Sequence, residues 1–505
     1  MFIYDMARKI NAYRKIRRKA AAGRYLSSVR RIERTAPLSS GRFVAMTFDD
    51  GPSAAIPNPP VRDPVEQVGL TAELLSILNK YGAKGTFDVI GTTEQNYPDK
   101  AGVKGDFTWS GVSYDHYPEF GQDKLAGVKN QLQLAREIAA GGHELASHGY
   151  SHILFGPMRL VYGKRVCFKS LREVIEDLEM LDRLVLKETN NKIRLSRPPH
   201  YIDRIPDGHT SYDAYRYMNY QYLAASFDAG GWKPSRGSYE QDVSDMTNLI
   251  ERALAEDPGV LNGQIIFQKD GCNMSLQTPV ASALDKSLKL LTDAGYKVVT
   301  ASELINMSPF EDIDDTDPCF ESVRKLTSAG FVTGYKNNTF QPDRLLTGKE
   351  LAVMTTSPEI LLNRYREQID LKYRSGASGT TGAFESSDAS GASKASGASG
   401  VSGDTSAAVV SGTSGIQVET IYQTALGNAR ENSRLSKVIQ YLESDKPMTD
   451  KQFDAFLNAA ADGTDITWHP EEFKKIGEQS PKPGLLRRRD VVKALEELLL
   501  NNKND

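Results

Sequence analysis

The chain has 505 residues, of which 39% are hydrophobic and 25% charged, and its formal net charge is −3. This length is too great for a single hydrophobic core and predicts about three domains. The nearly balanced charge does not point to a nucleic-acid partner, and without a run of about 18 apolar residues we expect no transmembrane segment. The three cysteines, Cys167, Cys272 and Cys319, lie too far apart for a disulfide framework or a metal-binding spacing.

The N-terminal segment is strongly basic. Eleven lysines and arginines lie within residues 1–35 against two acids, Asp5 and Glu33, and no apolar run of signal-peptide type is present there. We predict a basic arm over residues 1–40. Three interpretations stay open: a solvated, partly helical arm, a contact with an anionic membrane or wall polymer, or an exported protein whose signal is not part of this sequence.

Alternating strand and helix patterns follow the arm and predict parallel βαβ units. The predicted strands are 43–48, 85–90 and 296–300, and the predicted helices are 71–81, 132–140, 171–186 and 282–293. Two insertions, 53–69 and 91–129, are long and rich in glycine, proline and aromatic residues. We expect them to lie as loops over the active face and to shape a substrate groove.

Residues with metal-binding chemistry stand at two points in this pattern. Asp49 and Asp50 end the first buried strand, before a Gly-Pro turn, and His148 and His152 lie four residues apart. The histidine spacing predicts that both side chains share one face of a helical turn. Two imidazoles and one carboxylate make a three-ligand set that leaves a position open for water and substrate. A second carboxylate beside the ligand can deprotonate that water.

Five segments, 47–52, 148–152, 197–201, 228–232 and 267–270, resemble in order and wording the NodB-type polysaccharide deacetylases, carbohydrate esterase family 4. The resemblance implies an α/β fold, a distorted (β/α) barrel with its site at the carboxyl ends of the strands, over residues 41–305. It implies one divalent metal held by Asp50, His148 and His152, for which zinc is the expected ion, with Asp49 as general base. Arg197 would orient the Asp49 carboxylate.

The last three segments depart from the family pattern. His200 stands where the family has tyrosine, although Tyr201 follows it and either backbone amide can serve an oxyanion hole. Gly231 replaces a second aspartate after Asp228. Lys269 replaces the histidine that acts as general acid. Three interpretations follow: Lys269 held by Asp228 is the acid, Lys269 and Asp228 form a static ion pair, or His200 is the acid.

The C-terminal third changes character. Residues 308–357 resemble one S-layer homology repeat, with Gly348 where the family has the arginine that helps to bind wall polymer. Residues 375–415 are rich in serine, glycine and alanine and predict a flexible linker. Residues 416–505 predict a helical module. The final helix suggests a further S-layer repeat, and a helical bundle of another kind is the alternative.

The leading hypothesis is a hydrolase that removes acetyl groups from an N-acetylated wall polysaccharide, either peptidoglycan or a chitin-like glycan. Its partners would be the polysaccharide substrate and a cell-wall polymer bound through the S-layer repeat. The expected location is therefore extracellular or wall-associated, although no signal peptide is visible. The alternatives are a catalytically impaired wall-binding protein and a related hydrolase of small C–N amides or of acetylxylan.

Overall fold

The computed structural model describes residues 13–93, 124–157, 166–273 without 234 and 236, 275–376, 410–462 and 484–500, together with the paired short strands Thr108–Trp109 and Val112–Ser113. Most of the predicted insertion 91–129 and of the predicted linker 375–415 lies outside the described residues. Within those residues, the architecture is a curled parallel sheet with helices around it, followed by a helical C-terminal region.

Nine parallel strands build the sheet. They are β1 Arg31–Ile32, β2 Arg42–Asp49, β3 Thr86–Val89, β4 Glu144–Ser147, β5 Leu195–Ser196, β6 Gln221–Leu223, β7 Phe227–Asp228, β8 Ile265–Lys269 and β9 Tyr296–Val299. Their spatial order is β1-β6-β5-β4-β3-β2-β8-β7, and β9 pairs with the first half of β2. The sheet curls until Arg34, beyond β1, bridges Gln264, just before β8. The predicted distorted α/β barrel is confirmed in this form.

Seven helices surround the sheet in the described residues, and four of them were predicted from the sequence. The seven are α1 Leu70–Lys80, α2 Leu132–Ala140, α3 Leu171–Thr189, α4 Ser211–Met218, α5 Tyr239–Glu256, α6 Val280–Asp293 and α7 Ala301–Met307. Along β2, Val44, Met46 and Phe48 are buried against the helices. Because side chains alternate along a strand, Thr47 and Asp49 lie on the opposite face, inside the curl. The hydrophobic alternation of β2 therefore aims a carboxylate into the barrel.

The C-terminal helices share a separate core. They are α8 Phe320–Ser328, α9 Gly348–Thr355, α10 Pro358–Gly376, α11 Val410–Glu431, α12 Ile439–Leu442, α13 Asp450–Ala461 and α14 Arg488–Leu500. The helix α10 also contacts the barrel, since Tyr365 Oη donates to Asp213 and Arg366 Nε to the Tyr217 carbonyl, 2.7 Å away. The predicted linker therefore connects two helices, α10 and α11, that both belong to folded structure and are joined by an Arg364–Glu431 ion pair of 3.5 Å.

Three backbone hydrogen bonds form a closed ring in this core. Leu346 donates to Leu486, Leu486 to Met448, and Met448 back to Leu346, at 2.9, 3.0 and 2.7 Å. Each of the three residues lies two positions before a helix, α9, α14 or α13. The segments that lead into α9, α13 and α14 therefore meet in one ring of hydrogen bonds.

This packing explains the glycine at position 348. A Cβ atom there would lie 1.8 Å from the Tyr441 carbonyl oxygen of α12. No larger residue fits unless that segment moves. The neighbouring Lys349 pairs with Asp445 at 3.0 Å. The position at which the S-layer family has its arginine is thus covered by the chain's own C-terminal region.

The shared core predicts that damage to a late helix loosens the earlier repeat. Phe453 of α13 is fully buried, and Phe453→Ala should cost about 3–5 kcal/mol of local stability. We expect amide-exchange protection of residues 351–354 in α9 to fall with it, as measured by mass spectrometry. Leu371→Ala, at a side chain 63% exposed, is the control. Unchanged protection of α9 in Phe453→Ala would show that the two segments fold independently.

Candidate active site

The site lies at the carboxyl ends of four strands of the sheet. Asp49 ends β2 and Asp50 follows it, His148 follows β4, Arg197 follows β5, and Lys269 ends β8. Because parallel strands end at the same edge of a sheet, residues far apart in sequence meet there. Gly51 permits the tight turn after the two aspartates, since a Cβ at that position would lie 2.0 Å from an Asp270 carboxylate oxygen.

Asp50, His148 and His152 form a compact buried cluster. One ligand atom from each lies within 4.8 Å of the others. The Nε2 atoms of His148 and His152 stand 3.4 and 3.2 Å from Asp50 Oδ1. His148 Nδ1 lies 2.9 Å from the Arg197 carbonyl oxygen, which can only accept, so Nδ1 carries the proton and Nε2 presents its lone pair. This donor set fits a divalent metal.

The pKa values in the cluster also suit metal binding. Burial raises the pKa of Asp50, but the Lys269 ammonium and the two histidines outweigh it and hold that pKa well below its usual value. Burial lowers the pKa of His152, against the opposing effect of Asp50. A carboxylate and a neutral imidazole are the forms that coordinate a metal ion.

The prediction that the two histidines share a helical face is wrong, because residues 148–152 form a loop. Asp177 of α3 holds this loop by accepting from the backbone N–H groups of Tyr150 and Ser151, at 2.8 and 3.0 Å. His152 adopts a left-handed φ of 56°. Asp50 does the same at 79°, a conformation that non-glycine residues rarely take and that recurs at functional sites.

Arg197 is fully buried and connects several strands. Its Nη1 atom pairs with Asp49 Oδ1, and its Nη2 atom donates to Thr47 Oγ1 at 3.0 Å. Its Nε atom faces the Leu223 carbonyl of β6 at 3.4 Å. Although burial lowers the pKa of Arg197, Asp49 raises it above its ordinary value. The guanidinium is therefore a fixed charge that positions the Asp49 carboxylate.

Asp88 is a second carboxyl group at this arginine, and the sequence analysis missed it. In the sheet register Asp88 of β3 stands beside Asp49 of β2, and its Oδ2 lies 3.0 Å from Arg197 Nη1. Burial, with a further contribution from Asp49, raises the pKa of Asp88 well above its ordinary value against the effect of Arg197. The available signal was an acid inside the apolar predicted strand 85–90.

Lys269 pairs with Asp50, because its Nζ atom lies 2.6 Å from Asp50 Oδ2. Asp228, which the sequence suggested as its partner, is exposed and binds instead to Trp232 Nε1 and the Gly230 N–H group, at 3.0 and 2.8 Å. The lysine that replaces the family's histidine thus places its ammonium on a candidate metal ligand.

His200 also borders the cluster. Its ring centroid lies 5.6 Å from that of His152, and its φ is 53°. Burial and the neighbouring His152 lower the pKa of His200 well below the ordinary value for histidine. The Tyr201 N–H group donates to the Pro198 carbonyl at 2.9 Å. Of the two amides considered for an oxyanion hole, that of Tyr201 is therefore engaged in a turn.

Asp88 should be a neutral acid at pH 7. If so, Asp88→Asn preserves both shape and charge and should change the free energy of unfolding by less than about 1 kcal/mol, whereas Asp49→Asn leaves Arg197 without its carboxylate and should cost about 3 kcal/mol. Urea unfolding of both variants at pH 7 measures the difference. Equal costs would mean that Asp88 is ionised and shares the arginine's charge.

The Lys269–Asp50 pair should oppose metal binding. Replacing the ammonium in Lys269→Gln removes a like charge beside a bound cation, which should tighten zinc binding by about 10- to 100-fold. Competition with a chromophoric chelator measures the dissociation constant. Lys84→Gln is the control, since Lys84 contacts the Gly141 carbonyl instead. An unchanged constant in Lys269→Gln would place the lysine outside the metal's field.

Two protein-family models match parts of the chain. The family model described as polysaccharide deacetylase matches residues 38–202, and the S-layer homology domain model matches residues 309–352. The first match includes Asp49, the three-residue cluster and Arg197, and it ends before Asp228 and Lys269, where the sequence departs from the family pattern.

Two curated relatives are similar at low identity. Peptidoglycan-N-acetylmuramic acid deacetylase PdaC of Bacillus subtilis is 22% identical over 263 residues, which are 52% of this chain and 38% of the relative. Peptidoglycan-N-acetylglucosamine deacetylase of Bacillus cereus is 24% identical over 266 residues, 52% of this chain and 88% of the relative. The chain thus spans well under half the length of the first relative.

A solved structure of peptidoglycan deacetylase PdaC from Bacillus subtilis is 20% identical, with a TM-score of 0.34, and the match covers 52% of this chain and 90% of that one.

Within the described ranges, none of the helices combines the length and the hydropathy needed to cross a bilayer. The chain carries a polysaccharide deacetylase domain at residues 38–202 and an S-layer homology domain at residues 309–352.

Proposed function

We propose that the protein is a metal-dependent hydrolase that removes acetyl groups from an N-acetylated cell-wall polysaccharide, with peptidoglycan as the first substrate to test. One observation carries the proposal: a carboxylate fixed by a buried arginine, Asp49 with Arg197, stands beside the Asp50–His148–His152 cluster. His148 Nε2 lies 3.8 Å from Asp49 Oδ2, so the base and the candidate ligands share one space.

The reaction needs a base, charge stabilisation and an acid. When bound at the cluster, a divalent metal supplies Lewis acidity towards water and carbonyl oxygen. Asp49 takes the proton from the attacking water, and Arg197 holds the Asp49 carboxylate in position. The bond between the acetyl carbon and the glycan nitrogen then breaks, which releases acetate and a free amine. The backbone N–H group of His200, whose ring borders the cluster, is the proposed oxyanion donor.

We assign the proton for the departing amine to Lys269. Its ammonium lies inside the site, whereas burial keeps the His200 imidazole neutral and without a proton to spare. The assignment requires that Lys269 release Asp50 when the metal binds. A lysine ammonium is a weaker acid than the imidazolium of the family's histidine, so we expect slow turnover.

The wall as substrate is supported by the two curated relatives, both named for peptidoglycan, and by the S-layer homology domain. We further propose that residues 410–500 supply two divergent repeats of the same kind, because α13 and α14 join α9 in the closed ring of backbone hydrogen bonds. The three segments would form one wall-binding unit.

A second candidate function is a wall-binding protein without turnover. The ion pair between Lys269 and Asp50 favours it, because an ammonium on the ligand carboxylate can take the place of the metal's charge. Hydrolysis of acetylxylan or of a small C–N amide stays a further alternative. Acetate release separates these possibilities.

The test is acetate release from peptidoglycan, N-acetylglucosamine oligomers, acetylxylan and a small amide, side by side, with zinc supplied. We expect release from peptidoglycan or the oligomers, and a loss of at least ~100-fold in Asp49→Asn, whose carboxamide cannot accept the water's proton. His152→Ala should lose both activity and stoichiometric metal. Asp228→Asn, at an exposed residue, is the comparison variant.

Two results would contradict the proposal. Near-wild-type rates in Asp49→Asn would remove the assigned base. Bound zinc without acetate release from any of these substrates would favour the binding protein without turnover.

A further inference from the structure

A basic cleft lies outside the hydrolytic site. It has a volume of about 550 Å³ and lies where the helical residues 13–22 meet the barrel and the S-layer domain. Its lining includes six cationic residues, Arg14, Lys15, Arg18, Lys19, Arg31 and Lys336, and two carboxylates, Glu33 and Asp203. The formal excess is four positive charges in a concave space the size of a ligand pocket.

The chain's own carboxylates neutralise only part of this charge. Glu33 is shared between two cations, at 3.0 Å from Arg31 Nε and 3.9 Å from Lys15 Nζ. Lys19 pairs with Glu311 of the S-layer domain at 2.6 Å. Cations gathered in a concave surface focus a positive potential and attract anions. Arg14, Lys15 and Arg18 are exposed along one helix and can reach a ligand in the cleft.

The floor of the cleft is held by contacts of Lys336. Lys336 Nζ lies 3.5 Å from the centre of the Tyr212 ring, and the Lys336 backbone bonds to Tyr25 and Arg31 at 3.1 and 2.9 Å. Burial lowers the pKa of Lys336, against the effects of Asp203 and Asp213. An anion bound in the cleft would stabilise the charged form of the buried Lys336 side chain. The N-terminal helix, the barrel and the S-layer domain therefore each contribute a cationic side chain to the cleft.

One ring separates the cleft from the hydrolytic site. Tyr201 lines the cleft, and its ring lies between two guanidinium groups, that of Arg31 at 5.3 Å and that of Arg197 at 5.6 Å. Arg31 faces the cleft and Arg197 holds Asp49. A polymer bound in the cleft would thus pass next to the proposed reaction centre.

We propose that this cleft binds a flexible polyanion that carries phosphate or carboxylate groups, as a site separate from the S-layer repeat and from the Asp50–His148–His152 cluster. Arginine forks and lysine ammonium groups suit both kinds of anion. A chain that enters a concave cleft can reach Arg31 and Lys336, whereas a flat membrane surface cannot. The proposal rests on the cleft itself and holds whether or not the protein proves to be a deacetylase.

The experiment measures binding of the full chain to short-chain inorganic polyphosphate, poly-L-glutamate and a neutral N-acetylglucosamine oligomer by titration calorimetry at several salt concentrations. Arg14→Gln/Arg18→Gln removes two cations from the cleft. Arg17→Gln/Arg24→Gln removes two that do not line it and is the matched control. Lys336→Gln tests the floor.

We expect the wild type to bind at least one polyanion and the neutral oligomer not to compete. Arg14→Gln/Arg18→Gln should weaken binding by about 10-fold and reduce the slope of log Kd against log salt by about 1 to 2, as two fewer counterion-releasing contacts require. Preference for polyphosphate or for poly-L-glutamate would name the anion, and either result supports the site. Acetate release from neutral oligomers should stay unchanged in this variant, which separates the cleft from the hydrolytic centre.

Three outcomes would overturn the proposal. The first is equal weakening in the two double variants, which would indicate general charge attraction. The second is the absence of wild-type binding to both polyanions. The third is binding to vesicles of anionic phospholipid but to neither polymer, which would assign the basic helix to a membrane.

Discussion

The buried guanidinium of Arg197 is the interaction on which the rest of the site depends. It contacts Asp49 and Thr47 of β2, Asp88 of β3 and a backbone carbonyl of β6. The backbone carbonyl of Arg197 also fixes the tautomer of His148. A fully buried cation needs such partners, because an unpaired charge in the interior is too costly to keep. The same contacts that satisfy the arginine therefore hold the base in place and prepare a metal ligand.

Local patterns and the family resemblance were enough to predict the fold class and to select Asp49, Asp50, His148 and His152, which the structure brings together. Their roles as base and metal ligands stay predictions. Two acids that follow a buried strand lie at its carboxyl end, whatever sequence comes after them. The contacts made by Lys269 and Asp88 were not predictable in this way. They depend on strand register and on the distance between side chains that are about 110 to 220 residues apart in sequence, and no local pattern encodes these. The helical spacing of His148 and His152 misled for the same reason, since Asp177 of α3 supports a loop there.

The C-terminal region also combines features that its local sequence predicts with features that depend on the fold. The S-layer repeat was readable from its sequence, but the reason for Gly348 was not, because the carbonyl that excludes a side chain belongs to Tyr441, beyond the low-complexity tract. The basic arm was visible as charge alone. Only the fold brings its helix to Arg31 and Lys336 and turns a run of cations into a cleft beside the reaction centre.

The central claim is that the cluster is a metal site whose ligand Asp50 must be released by Lys269. Anomalous X-ray diffraction from crystals grown with zinc tests it most directly. The account predicts one zinc ion coordinated by Asp50, His148 and His152, with the Lys269 ammonium displaced from the Asp50 carboxylate. The crystals should be grown at a zinc concentration that saturates Lys269→Gln. The metal site would be contradicted if no anomalous density appeared at the cluster and Lys269 still paired with Asp50.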